Sequence, residues 1–270
     1  MKLVKTILKE IFSIKNKSDY KILTILGIKI KIPYYITKNQ LNQYLNTFVD
    51  ITKAPKACGK LREMQLLELY LMKELKQICD KLDIKFWLRG GTALGAYRHK
   101  GFIPWDDDVD VGIMREDFDK LVDYVNNNSD KYEVVYFYHH TCKVAKFVFK
   151  GVKGGIFVDL FPFDYCSYEN NDSFWEKWLE DKDKLIKELS KFRFDDGTYQ
   201  HYLDNDLIKE IEEVNSQYKN KYINSSDKTA ICSAIEQIVS RGKKRIFPSD
   251  MIFPLRLVDF EDGQFYVMNK

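Results

Sequence analysis

Between Trp105 and Val111 four carboxylates fall in five positions, Asp106, Asp107, Asp108 and Asp110. A fold that takes in this run has to give it something to hold. Asp108-Val109-Asp110-Val111 alternates polar and apolar, the pattern of a half-buried strand. Alternate strand residues share a face, so Asp106, Asp108 and Asp110 are expected on one side. Three like charges that close raise one another's pKa unless a cation sits among them. Carboxylate oxygens suit a hard ion, Mg²⁺ or Mn²⁺, which keeps some waters and takes further ligands from a phosphate. A solvated loop tip is the plainer alternative. Against it stand the apolar flanks, Ile103-Pro104-Trp105 on one side and Val109, Val111 and Ile113 on the other.

The residues before the acidic run point the same way. Gly90 and Gly91 follow the short apolar run Phe86–Leu88, and such a turn lets backbone N–H groups approach a phosphate closely. Thr92 adds a hydroxyl. Arg98, His99 and Lys100 lie between the glycines and the acids as cations for oxyanions, although His99 serves equally well as a buried structural residue. Further on, Asp159 is embedded in Ile156-Phe157-Val158-Asp159-Leu160-Phe161. A carboxylate in an apolar strand is costly unless paired or metal-bound.

These segments carry a resemblance. GGTALGAYRHKGFIPWDDDVDVGIMREDF, with LREMQLLELYLMKELKQICDKLDIKFWL before it and GIFVDLFPFD and FEDGQF after it, resembles the LicD family of phosphotransferases. That family is a branch of the nucleotidyltransferase superfamily that includes the fukutin-related proteins. Ala93 stands where the family often has leucine. The resemblance implies an α+β fold: a nucleotidyltransferase-type mixed sheet flanked by helices. It implies a metal-dependent transferase that moves a phospho-alcohol group, such as phosphocholine, from a CDP-activated donor to a hydroxyl of a cell-surface glycan, with CMP leaving. Lipopolysaccharide, capsule or teichoic acid precursors are the acceptor classes. On this reading Asp108, Asp110 and Asp159 are catalytic, and Asp108, Asp110 and Asp106 hold Mg²⁺ or Mn²⁺. Gly90, Gly91, Thr92, Arg98, His99, Lys100 and Lys146 bind substrate. Were the alcohol choline, its quaternary ammonium would want aromatic faces, and Tyr97, Phe102 and Trp105 are near in sequence, though core positions suit them too. Two rivals stay open: a nucleotidyltransferase moving NMP from an NTP to a small molecule, and an inactive binding protein of the same fold.

Charge is unevenly placed. The net charge is only +3, yet residues 1–60 carry twelve lysines against Glu10, Asp19 and Asp50, so the remainder is mildly acidic. Leu3, Ile7, Ile11 and Ile14 at helical spacing make residues 2–14 a basic amphipathic helix, and residues 1–20 either contact an anionic membrane or dock on the body. The lysines gather away from the carboxylates, which argues against nucleic acid as a partner. Lys5 and Lys9 interrupt any signal-peptide core, and the charge-free run Ile22–Ile28 is too short to span a bilayer. Five scattered cysteines without a C-x-x-C read as reduced thiols and a cytoplasmic setting, peripheral to the membrane if the arm binds it. His139, His140 and Cys142, with Cys166, are the one zinc-like cluster, and ordinary strand or loop residues are the preferred account of them.

Along the chain three regions are expected: a basic extension over 1–60, a catalytic core over 61–165, and a helical cap on the acceptor side over 166–270. Residues 21–33 read as a hairpin around Gly27. Met64, Leu67, Leu71, Leu75, Ile78 and Leu82 mark a long amphipathic helix. Helices are expected over 93–97, 116–125, 171–191, 204–222 and 229–239. A hairpin is expected over 132–149, a strand over 156–161 closed by Pro162, and short strands over 252–268. The family pattern runs on past a FEDGQF-like segment, so truncation of that side of the cleft is a further expectation.

Overall fold

The structure is a computed structural model. It describes three strands within residues 12–33 and, from residue 50 on, all positions except 141, 153–154, 167–170, 193, 200–202, 224–225 and 238–245. The chain divides into two compact units, Met1–Pro55 and Lys56–Lys270. In the first, β1 (Phe12–Asn16), β2 (Tyr20–Ile25) and β3 (Ile28–Pro33) form an antiparallel sheet in sequence order. The expected hairpin is therefore present. The expected basic helix lies mostly outside the described residues, and the part that is described, from Phe12, is strand. Among the described residues no helix is long and apolar enough to cross a membrane.

The second unit is a mixed sheet with helices on it. After α1 (Gly59–Lys81) come β4 (Phe86–Leu88), α2 (Gly90–His99), β5 (Asp110–Met114) and α3 (Arg115–Asn128). The hairpin β6 (Tyr132–His140) and β7 (Cys142–Phe149) leads to β8 (Val158–Cys166). Then follow α4 (Asn171–Leu189), β9 (Phe194–Tyr199), α5 (Asn205–Lys219), β10 (Ala230–Ser233), β11 (Ile246–Pro248), α6 (Ser249–Ile252), β12 (Arg256–Phe260) and β13 (Gly263–Val267). The sheet order is β12-β13-β4-β5-β8-β7-β6-β9, with β10 joined to β8 and β11 to β10. β5 runs antiparallel to β4 and parallel to β8.

Alternation along the central strands decides what each face does. Val111 and Ile113 of β5 and Val158 and Leu160 of β8 are fully buried and join Leu71, Met72 and Leu75 of α1 and Phe118, Leu121 and Val125 of α3 in the main core. The residues between them, Asp110, Gly112, Asp159 and Phe161, take the opposite face. There Trp87 packs on Phe163 and Phe253, at 5.1 and 6.1 Å between ring centroids. Arg115 opens α3 and is buried in a fork with Asp164 and Glu236, which ties β8 to the segment after β10.

Several sequence expectations are corrected here. The strand begins only at Asp110, so Asp106–Val109 form a loop that leads into it. β8 does not close at Pro162. It continues to Cys166, because β5 and β10 pair along its second half and Pro162 needs no ladder donor of its own. The described part of the helix expected over 229–239, Thr229–Gln237, is no helix: Ala230–Ser233 is a fully buried strand on β8, where apolar residues on both faces outweigh helical spacing. In the mainly helical region expected after residue 166, the short strands expected over 252–268 are present as β12 and β13, while β9 and β10 add strands to the sheet that were not expected.

Candidate active site

The centre is built where two strands enter the sheet side by side. Asp110 and Asp159 are register partners of the parallel pair β5–β8, and the Asp159 N–H donates to the Val109 carbonyl at 2.8 Å. Asp108, two residues before Asp110, turns its carboxylate to both. One oxygen each of Asp108, Asp110 and Asp159 lie within 4.8 Å of one another, as do those of Asp106, Asp107 and Asp108. Asp108 thus belongs to both groups, and among the described residues these are the metal-competent clusters.

The first turn of α2 abuts the acids, which gives Gly90 and Gly91 their reason. A Cβ at Gly90, which has φ +55°, would stand 2.8 Å from Asp110 Oδ2, and one at Gly91 would stand 2.5 Å from Asp106 Oδ2. Backbone N–H groups at a helix start favour anions, whether carboxylate or phosphate. Thr92 is buried, and its hydroxyl accepts from the Asp110 N–H at 2.9 Å, while the Arg89 N–H donates to the Asp110 carbonyl at 3.1 Å. Thr92 therefore anchors the start of the acidic strand. Gln65 of α1 does the same for the loop, donating to the carbonyls of Ile103 and Asp106 at 3.3 and 2.9 Å.

Electrostatics mark the place. Burial and then the Asp108 charge push Asp110 up to about 7. Burial, Asp108 and Asp107 push Asp106 up to about 6. Burial and Asp107 raise Asp108, against the pull of Lys146. Burial raises Asp159 against Lys146, whose ammonium sits 2.7 Å from Asp159 Oδ1. Hard oxygens this close, each made reluctant to ionise by its surroundings, fit a divalent cation of the Mg²⁺ or Mn²⁺ type.

The cations divide into two sets. Lys146, on β7 opposite Asp159, is 6% exposed and inside the centre. Arg98, His99 and Lys100 close α2 and stand a helix length, about 12–15 Å, from its first turn. His99 packs edge-on to Trp105 at 6.3 Å, and burial and then Arg98 lower its pKa, which favours the neutral ring. Phe102 is core, while Tyr97 and Trp105 are half exposed. The side chains of His139, His140 and Cys142 lie outside the described residues. Cys166 is buried beside Cys232.

Two residues escaped the sequence reading. Arg89, just ahead of the Gly-Gly pair, lays its guanidinium 3.8 Å over the Phe161 ring and lowers the pKa of both Asp110 and Asp159. Its position directly after an apolar strand was the available signal. Glu68 of α1 is fully buried with no hydrogen-bond partner for either oxygen, and burial with the charges of Asp108, Asp107, Asp106 and Asp159 pushes it up to about 8. Nothing in LLELYL distinguishes it from a surface helix acid.

The segment that carries this site is similar to known proteins. Residues 83–201 match the family model for the nucleotidyltransferase domain of LicD, FKTN and FKRP. The chain is 27% identical over 245 residues to the lipopolysaccharide cholinephosphotransferase LicD of Haemophilus influenzae, covering 77% of this chain and 86% of that protein. It is 38% identical over 111 residues to an uncharacterised protein of Rickettsia prowazekii, 41% of this chain and 39% of that one. Human ribitol 5-phosphate transferase FKRP is 50% identical over 40 residues, which is 15% of this chain and 8% of FKRP. Residues 83–201, which hold the carboxylates, the Gly-Gly turn and Lys146, are thus similar to the nucleotidyltransferase domain of the LicD/FKTN/FKRP family.

Proposed function

We propose that this protein is a phosphotransferase that moves a phospho-alcohol group from a CDP-activated donor to a hydroxyl of a cell-surface glycan. One observation carries the reading: Asp108, Asp110 and Asp159 converge beside a glycine-opened helix start, in a chain similar along 77% of its length to a lipopolysaccharide cholinephosphotransferase. Mg²⁺ or Mn²⁺ held by Asp108 and Asp110, with Asp106 in support, would neutralise the donor diphosphate. The first-turn N–H groups of α2 and the Arg89 guanidinium complete an anion-receiving rim. The acceptor hydroxyl oxygen attacks the phosphorus bearing the alcohol, the bond from that phosphorus to the CMP oxygen breaks, and the hydroxyl proton passes to Asp159. A carboxylate raised by burial is a better base near neutrality than one in water. Half-exposed Trp105, next to Asp106, offers an aromatic face to a cationic alcohol.

The test is a donor screen. Purified protein, Mg²⁺ and a set of CDP-alcohols are mixed with glycan acceptors, and CMP release is followed by mass spectrometry. One CDP-alcohol should yield CMP together with a phosphorylated acceptor. Asp110→Asn should cut the rate by at least ~10²–10³, the usual effect of losing one preorganised electrostatic contact, and the variant should unfold no earlier than the parent without metal. Pyrophosphate release from an NTP would instead mean nucleotidyl transfer, and near-normal rates in the variant would remove the acidic strand from the mechanism.

A further inference from the structure

Lys146 is not placed as a surface clamp would be. It lies opposite Asp159 in the antiparallel β7–β8 pair, and Asp159 lies opposite Asp110 in the parallel β8–β5 pair. Three neighbouring strands therefore present Lys146, Asp159 and Asp110 in one row on one face. The ammonium is 2.7 Å from Asp159 Oδ1, 3.1 Å from the centre of the Phe157 ring and 5.3 Å from that of Phe137. The residue is 6% exposed. Here an ammonium is seated on a carboxylate and on aromatic faces, both of which attract positive charge.

We propose that Lys146 stands in for a second metal ion, so that this centre holds one divalent ion, on Asp108 and Asp110, and Asp159 is served by the lysine. This rests on the phosphotransferase reading of the same carboxylates and specifies their metal content. In two-metal phosphoryl-transfer sites the ions lie about 3.5–4 Å apart and share carboxylates. An ion ligated by Asp159 would need a near-octahedral oxygen shell at about 2.0–2.1 Å. An ammonium already hydrogen-bonded to Asp159 falls within reach of that shell and repels its occupant. Nor does Lys146 have an easy retreat, since leaving Asp159 would strand a buried ammonium. The arrangement also divides the work. Asp108 and Asp110 neutralise the donor, while Asp159 keeps an oxygen for the acceptor's proton, and Lys146 opposes the burial that would otherwise keep Asp159 protonated.

The test counts ions and needs no turnover. The full chain is titrated with Mn²⁺, free ion is followed by electron paramagnetic resonance, and bound ion is counted by calorimetry. One Mn²⁺ per wild-type chain and two for Lys146→Met are expected, the second because Asp159 is released. Lys146→Gln provides the same count should the methionine variant fail to fold, and Lys146→Arg should return it to one. Two ions in the wild type, or no second ion in either neutral variant, would overturn the inference while leaving the phosphotransferase reading in place. No Mn²⁺ in the wild type would overturn the metal centre and both readings together.

Discussion

Glu68 spends its burial on a position with no partner, and this makes its charge costly. An unfolded chain releases that proton near the ordinary carboxylate value of 4.5, whereas the folded protein holds it to about 8. The native state binds the extra proton between these values, so stability is highest below about 4.5 and declines as pH rises through 8. Glu68→Gln should abolish that decline. Metal-free protein carrying it should melt above the parent at pH 8 and close to it at pH 5, each kcal/mol moving the midpoint by about 2–4 °C. Calorimetry at the two pH values checks this, and an equal offset at both would assign the effect to packing instead. This residue also shows where the sequence stopped being readable. Spacing in α1 made Leu67 a core position, but Leu66 and Leu67 are about half exposed while Gln65 and Glu68 are buried. The acidic loop draws polar side chains to that end of the helix, and helical periodicity carries no record of a loop forty residues downstream.

Among the elements, β4 was easily read because its constraints are local: the apolar triplet and the glycine turn follow from neighbouring residues. For β5 the alternating acids marked a strand but placed its start too early, since the ladder begins only at Asp110. Gly112 is different, since its reason lies across the ladder. It is the register partner of Trp87, and a Cβ there would stand 2.4 Å from Trp87 Cε2. The indole is fully buried between Phe163 and Phe253 and cannot retreat. Gly112→Ala should therefore cost about 1–3 kcal/mol, measured as a lower denaturant midpoint. Adding Trp87→Phe should recover part of that loss, because contacting residues are not additive. An unchanged midpoint in the single variant would show that the ring can give way. The strands after residue 166 were harder. β10 acquires its identity from β8, a partner distant in sequence, and Thr229–Val239 offered only a helix-like spacing without it.

At the scale of the molecule, Glu261 fastens the turn of β12–β13 to the segment that precedes the acidic loop. Arg62 grips both its oxygens at 3.0 and 2.8 Å, Lys56 adds a second cation, and the Phe102 N–H donates at 3.3 Å. Its own N–H donates to the Lys100 carbonyl at 2.7 Å, and its carboxylate fills the space that a side chain at Gly101 would need. Burial pulls its pKa up, but Arg62 and Lys56 outweigh that and hold it at about 2. A depressed carboxylate contributes stability above its unfolded value of 4.5 and loses it as pH falls through about 2. Glu261→Gln should destabilise by roughly 2–3 kcal/mol at pH 7, below the cost of breaking a fully buried pair, and the gap to the parent should narrow steadily from pH 4 downward. A gap independent of pH would mean that shape, not charge, is what the turn supplies. The FEDGQF motif was visible in the sequence, but its task was not, because Arg62 and Phe102 meet it only in the folded chain. The register of Asp110 against Asp159 has a consequence for how the protein comes into being. The two strands are parallel, and α3 and the β6–β7 hairpin must be laid down between them, so this is a contact of high sequence separation, the kind that closes slowly. The proposed ion centre therefore exists only once β8 has docked on β5. An ion that arrives only after the chain has closed leaves the folding rate as it was and prolongs the life of the finished protein.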